Sequence, residues 1–114
     1  MQLTTQTKAD ALCITVEDER IDAAIAVQFK DTFRKLLAGH RGRVIVDMEN
    51  VAFLDSSGLG SLVAVMKMLP SGQKLELAGL QDVVHKVLKL TRMDSIFILH
   101  ADAKTAFNSK RNAA

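Results

Sequence analysis

The segment VAFLDSSGLG, residues 51–60, constrains the fold more than any other part of the chain. A short apolar run ends at Asp55, then two hydroxyl side chains and a glycine follow, and SLVAVMKML continues with helical periodicity. This order is typical of a strand that turns directly into a helix. It predicts that Ser56 and Ser57 lie at the helix N-terminus, where unpaired backbone N–H groups and the helix dipole favour an anion. A serine at such a position is suited to carry a phosphate.

Length and composition predict one domain that spans residues 1–114, and the lack of a membrane span and of a signal peptide predicts a cytoplasmic protein. No apolar stretch approaches the roughly 20 residues needed to cross a bilayer. The N-terminal residues MQLTTQTKAD lack the order of a signal peptide, so neither feature suggests membrane contact. The formal charge is only +2, and phenylalanine is the only aromatic residue type, which argues against nucleic acid as the main ligand.

Known catalytic and metal-binding patterns are missing from the sequence. Cys13 is the only cysteine and lies in the apolar run ALCITV, which predicts a buried, unreactive thiol. The histidines lack metal-ligand spacing and are predicted to be surface residues: His40, His85 and His100. There is no phosphate-binding GxxxxGK[ST] loop, no G-x-S-x-G elbow, and no plausible nucleophile and base. We therefore expect a protein that is not an enzyme and needs no cofactor or metal.

Apolar periodicity predicts strands that alternate with helices. Strands are expected at 12–16, 43–48, 74–78 and 95–99, and helices at 24–37, from Asp55 or Ser56 to Pro70, at 80–90 and at 102–108. The fold class is therefore α/β, with about four helices around a mixed, mostly parallel central sheet of about four to five strands. Ligands and partners of such sheets tend to meet the carboxyl ends of the strands, where Asp55 and Ser56 fall.

Several finer expectations follow from the same patterns. The strand at 12–16 is expected to lie at a sheet edge and to run antiparallel. The strand at 43–48 is expected to be covered on both faces, and the strand at 74–78 to be half exposed. Asp22 is a candidate N-cap of the first helix, and Asp102 lies near the start of the last one. The first helix is expected to bury five residues: Ala24, Val27, Phe33, Leu36 and Leu37.

The motif around Ser56 resembles the STAS-domain anti-sigma factor antagonists of bacterial partner-switching systems. The matching residues are VIVDM at 44–48, Val51, and FLDSSGLG at 53–60, where the family has a strand followed by D-S-[ST]-G-[LI]-G. The segment Ile21-Asp22-Ala23 is similar to a shorter L-D-x motif of the family. The predicted order of strands and helices agrees over nearly the whole chain, so the resemblance implies a single STAS-like domain.

The resemblance implies a phosphorylation site at Ser56. It also implies a serine-kinase anti-sigma factor of the histidine-kinase-like ATPase fold, which binds the unphosphorylated form and releases its target, and a PP2C-type phosphatase that removes the phosphate. The partner-binding residues that it implies are Asp22, Asp55, Ser56, Ser57 and Gly58. One departure is Glu19, which stands where the family commonly has glycine and predicts a different loop shape beside Asp22.

Other interpretations remain open. Ser56 can be an unmodified helix cap, and Asp22 can either cap the first helix or form the polar rim of a partner site. The protein can be a constitutive interaction subunit of the same fold, such as the STAS partner of a lipid-transport ATPase, without a phosphoswitch. A third hypothesis is a small enzyme or nucleotide-binding protein, although no loop in the sequence requires one.

Overall fold

The computed structural model describes residues 1–109, so residues 110–114 of the predicted domain lie outside the described part. The elements in chain order are β1 (Leu3–Lys8), β2 (Ala11–Val16), β3 (Arg20–Ile21), α1 (Ala26–Leu37), β4 (Val44–Asp47), β5 (Phe53–Leu54), α2 (Ser56–Lys67), β6 (Glu76–Ala78), α3 (Asp82–Leu90), β7 (Ile98–His100) and α4 (Ala103–Asn108). They form a five-stranded sheet in the order β1-β2-β4-β6-β7 and a separate ribbon of β3 and β5.

The central sheet is mixed and mostly parallel, which confirms the predicted α/β class. Strands β2, β4, β6 and β7 run parallel, while β1 pairs with β2 in the antiparallel direction. The expectation that the strand at 12–16 is the antiparallel edge is wrong. That edge is β1, whose sequence LTTQTK gives little apolar signal because its side chains are exposed apart from half-buried Leu3.

Helices cover both faces of the central sheet. The main core lies between one face and helices α1, α2 and α3, and Val44 and Val46 of β4 belong to it. Ile45, between them, points into a smaller cluster with Ala106 of α4 on the opposite face. Strand β4 is therefore covered on both faces, as predicted. All three residues of β6 are buried as well, so the expectation of a half-exposed strand at 74–78 is wrong.

The smaller cluster also contains Cys13, which is buried and free. Burial in this apolar layer raises the pKa of its thiol to about 11, and the nearby negative charge of Asp47 adds to the increase. The prediction that this thiol is buried is confirmed, and its raised pKa leaves little thiolate at neutral pH.

Helix α1 buries Phe33 and Leu37 as predicted, but Ala24 and Val27 are exposed. Its buried residues are Ala26, Phe29, Phe33 and Leu37, whereas Val27 is 66% exposed. The rings of Phe29 and Phe33 stack with centroids 4.4 Å apart, and these two large side chains determine which face turns inward. The helix begins at Ala26 with Ile25 as its N-cap residue, so the prediction that Asp22 caps α1 is also wrong.

A largely buried polar cluster links Arg43, which directly precedes β4, to β6, β7 and the end of α4. The Arg43 guanidinium donates to both carboxylate oxygens of Glu76, at 2.9 and 2.6 Å, and to the carbonyl oxygens of Ala106 and Ser109. The Nε2 atom of His100 lies 2.7 Å from Glu76 Oε1, so the prediction of a surface histidine is wrong for His100. Burial alone raises the pKa of the Glu76 carboxyl, but the hydrogen bonds from Arg43 and His100 outweigh it and hold the pKa below its usual range.

Candidate functional site

The ribbon of β3 and β5 brings the two candidate motifs together. The strands run parallel, with Ile21 paired to Leu54, and the Asp55 N–H donates to the Ile21 carbonyl at 3.4 Å. The Ala23 N–H donates to Asp55 Oδ2 at 3.2 Å. The segment Ile21-Asp22-Ala23 therefore lies directly beside Asp55 and Ser56, although about 30 residues separate them in the sequence. Asp55 and Ser56 follow the carboxyl end of a parallel strand as predicted, but that strand belongs to the ribbon and not to the central sheet.

Asp55 is the N-cap residue of α2. Its backbone is extended, and its Oδ1 atom accepts a hydrogen bond from the Gly58 N–H at 2.8 Å. Ser56 and Ser57 are the first two residues of the helix, and both are exposed. Their hydroxyl groups make no hydrogen bond to any residue within 1–109. The interpretation of Ser56 as the helix cap therefore fails, because Asp55 has that role and leaves the serine hydroxyl available.

Gly58 is required by a close backbone approach. A Cβ atom at this position would lie 2.0 Å from the Ile21 carbonyl oxygen, which no side chain can tolerate. The glycine lets the first turn of α2 press against β3. Gly60 is different, because a Cβ atom there would meet nothing within 4 Å. Packing within the described residues thus explains why position 58 of DSSGLG is glycine, but it does not explain the glycine at position 60.

Asp22 stabilises the turn between β3 and α1. Its Oδ1 atom accepts from the Ala24 N–H at 3.1 Å, and its Oδ2 atom accepts from Arg20 Nε at 3.1 Å. The carboxylate is partly exposed at the ribbon end, next to the Ala23 N–H that binds Asp55. The structure thus brings the five predicted partner-binding residues together beside the start of α2: Asp22, Asp55, Ser56, Ser57 and Gly58. Of these, Gly58 is buried and positions the backbone.

The loop beside Asp22 does not need the glycine that the family commonly has. The Glu19 carbonyl accepts from the N–H groups of Ala52 and Phe53, at 2.7 and 3.1 Å, so the loop is fixed to β5 through its backbone. Glu19 is not among the residues with positive φ, so its conformation is open to any side chain.

The site is a surface and not a cavity. A cavity of about 690 Å³ lies elsewhere, between Asp10, Gly42 and Gln73 among others, and none of the predicted site residues lines it. Among residues 1–109, no three His, Cys, Asp or Glu side chains are grouped as a metal site would require. The same residues include no helix that is both long and apolar enough to span a bilayer. An exposed hydroxyl on such a surface is accessible to another protein.

Comparison with known proteins shows the family to which the chain belongs. The STAS domain family model matches residues 2–110, and the chain belongs to this family. A STAS-domain containing protein of Pseudomonas aeruginosa is 28% identical over 100 residues, which cover 85% of this chain and 97% of the relative.

Solved structures share the fold. An anti-sigma factor antagonist from Mycobacterium paratuberculosis superimposes with a TM-score of 0.85 at 20% identity, over 97% of this chain and 94% of the other. The Bacillus cell fate determinant SpoIIAA in its phosphorylated form gives a TM-score of 0.67 at 17% identity, over 93% and 96% of the two chains. At these identities the likeness establishes the fold alone.

Proposed function

We propose that the protein is an anti-sigma factor antagonist that phosphorylation of Ser56 switches off. The observation that carries this proposal is an exposed serine hydroxyl at the first position of α2 that the fold does not use, since Asp55 caps the helix. In its unphosphorylated form the protein binds a serine-kinase anti-sigma factor of the histidine-kinase-like ATPase fold, which then releases its target. A PP2C-type phosphatase restores the hydroxyl. The protein itself is a non-catalytic cytoplasmic binding module.

The contacts around Ser56 explain how the domain tolerates a phosphate. The γ-phosphoryl group of ATP moves to the Ser56 oxygen, ADP leaves, and the serine proton is lost, which adds about −1.5 to −2 charges. The cap bond from Gly58 N–H to Asp55 remains, and the positive end of the helix dipole offsets part of the new charge. Phosphorylation is therefore expected to leave the domain folded.

The same charge disrupts the partner interface. A partner surface that fits the neutral hydroxyl would have to bury a hydrated dianion beside the Asp55 carboxylate, and burial of an unpaired charge is costly. Specificity then comes from this unfavourable contact rather than from a new attractive one. A loss of about 3 kcal/mol is enough to weaken binding roughly a hundredfold.

The direct test is the mass of the protein purified from its native host. A species about 80 Da heavier, with the phosphate localised to Ser56, is expected for a phosphoswitch. Ser56→Ala should abolish the heavier species while the matched variant Ser57→Ala retains it. Ser56→Ala should still bind the kinase partner, and Ser56→Asp should bind it less well. Phosphate on Ser57 alone would contradict the assignment to Ser56, and no phosphate under any growth condition would favour a constitutive interaction subunit.

A further inference from the structure

Arg20 occupies the exposed face of the ribbon next to the switch serine. It pairs with Phe53 across the two strands, and its guanidinium lies 4.0 Å from the centroid of the Phe53 ring. Its Nε atom donates to Asp22 Oδ2 at 3.1 Å. Although the side chain is 60% exposed, these two contacts fix both the plane and the direction of the guanidinium. A fixed guanidinium loses less freedom when it binds a further group.

The outer nitrogens of this guanidinium are available to a ligand. Within the described chain, Nε is the only nitrogen of the Arg20 side chain with a hydrogen-bond partner, so both Nη atoms remain for an oxyanion. Arginine binds phosphate through two parallel N–H bonds, a geometry that lysine cannot provide. The two Nη atoms of Arg20 are therefore already oriented to form one side of a phosphate-binding site.

The contact with Asp22 brings this group toward the end of the ribbon that leads to Ser56. Asp22, which holds Nε, lies two residues beyond Arg20, so the guanidinium extends toward the carboxyl end of β3. Ser56 follows Phe53 by three residues, which is at most about 10 Å at 3.3 Å per residue. A long arginine side chain and a phosphate that projects from Ser56 can together span such a gap.

The local charges make Arg20 the natural counterion. In the ribbon and the turns that follow it, residues 19–26 and 52–60, there are three carboxylates, Glu19, Asp22 and Asp55, and one cation, Arg20. A phosphate on Ser56 would join this acidic group as a dianion beside Asp55. Apart from the backbone N–H groups of α2, Arg20 is the only group in these segments that can offset it.

We propose that Arg20 clamps the phosphate of phosphorylated Ser56, with Nε still on Asp22 and the Nη atoms on phosphate oxygens. This inference rests on the proposed phosphorylation of Ser56. The clamp draws the phosphoryl group against the ribbon and stabilises its dianionic form. Arg20 is thus a positioning residue of the switched-off state, and it has no catalytic role.

The test measures the phosphate directly. Phosphoserine is incorporated at position 56 by genetic code expansion, and the phosphate is titrated by ³¹P NMR in the full chain. Removal of a nearby cation favours the monoanion, so Arg20→Gln should raise the phosphate pKa by about 0.5 to 1 unit. In the protein with Arg20, the ¹H–¹⁵Nε resonance of Arg20 should move when phosphoserine replaces Ser56.

Arg34 provides a matched control. It forms an equivalent exposed ion pair with Asp31 at 3.1 Å and is 64% exposed, but it lies eight residues beyond the start of α1, about 12 Å along the helix. Arg34→Gln should leave the phosphate pKa unchanged. Equal pKa shifts in both variants would show general screening and overturn the clamp, as would no shift in either one. Amide spectra of each variant confirm that it is folded.

This experiment separates the clamp from the proposed function. Phosphoserine is imposed by the genetic code, so the clamp is measured whether or not a kinase ever modifies Ser56. Conversely, an unchanged phosphate pKa in Arg20→Gln would refute the clamp. It would not affect the proposed phosphorylation of Ser56, which is tested by the mass of the protein from the native host.

Discussion

Replacement of Glu76 by glutamine is expected to destabilise the domain strongly. The Glu76 side chain is 4% exposed, and it holds Arg43 and His100 through three short contacts. Glutamine has the same size but no charge and only one acceptor oxygen. Arg43 would then remain largely buried without its counterion. Removal of one partner from a buried ion pair typically costs about 3–5 kcal/mol. The carbonyls of Ala106 and Ser109 still bind Arg43, so we expect a value near 3 kcal/mol.

Urea denaturation followed by circular dichroism at pH 7 measures this loss. A domain of this size has a total stability of about 5–15 kcal/mol, so a loss of 3 kcal/mol is readily measured. With m near 2 kcal/mol/M, the urea midpoint should fall by about 1.5 M while m itself stays constant. Asp31→Asn, which breaks the exposed pair with Arg34, should cost less than about 1 kcal/mol. A loss under 1 kcal/mol for Glu76→Gln would refute the argument from burial.

The same variant gives a signed prediction for pH. The pKa of Glu76 lies below its usual range in the folded protein, so its charge stabilises the fold fully above the unfolded-state pKa of about 4.3. That contribution is lost as the pH falls through the folded-state pKa. The stability difference between the unmodified protein and Glu76→Gln should therefore shrink in strongly acidic solution. A difference that stayed constant down to pH 3 would contradict the role of the ionised carboxylate.

Further predictions concern the α2 start and the buried thiol. Gly58→Ala should destabilise the domain by several kcal/mol because its Cβ would collide with β3, whereas Gly60→Ala should stabilise it by up to about 1 kcal/mol. Thermal melts of the two variants compare their stabilities. A Gly58→Ala variant that was more stable than the unmodified protein would contradict the close backbone approach. Asp55→Ala should cost about 1 kcal/mol through loss of the cap, measured by urea denaturation, and no loss would be contrary to the capping role. Cys13 should react with a thiol reagent at pH 8 only in denaturant, and rapid labelling of the folded protein would refute its burial.

Local chemistry made the position of Ser56 predictable from sequence. An apolar run, a capping carboxylate, a glycine and a helical pattern occur within ten residues, and each favours the same strand-to-helix turn. The strand β4 was predictable for a similar reason, because a continuous apolar run is typical of a strand covered on both faces. Asp102 likewise caps α4, as its position before the helix indicates.

What the sequence missed depends on partners distant in the chain. The ribbon strands have two residues each, too few to show a period, and their pairing joins segments 33 residues apart. Glu76 looks like an exposed strand residue until Arg43 and His100 are placed beside it. In α1, helical spacing places Val27 on the apolar face, but the packing of Phe29 against Phe33 turns Val27 toward solvent.

The two oxygens of Asp55 also limit what this carboxylate can do for its neighbour. One accepts from Gly58 and the other from Ala23, so both are engaged by backbone amides. No side chain within residues 1–109 makes a hydrogen bond to the Ser56 hydroxyl, so no base in this part of the chain is placed to take its proton. Any enzyme that esterifies Ser56 must therefore bring its own base. Mixed with magnesium and ATP alone, the protein should keep its mass indefinitely.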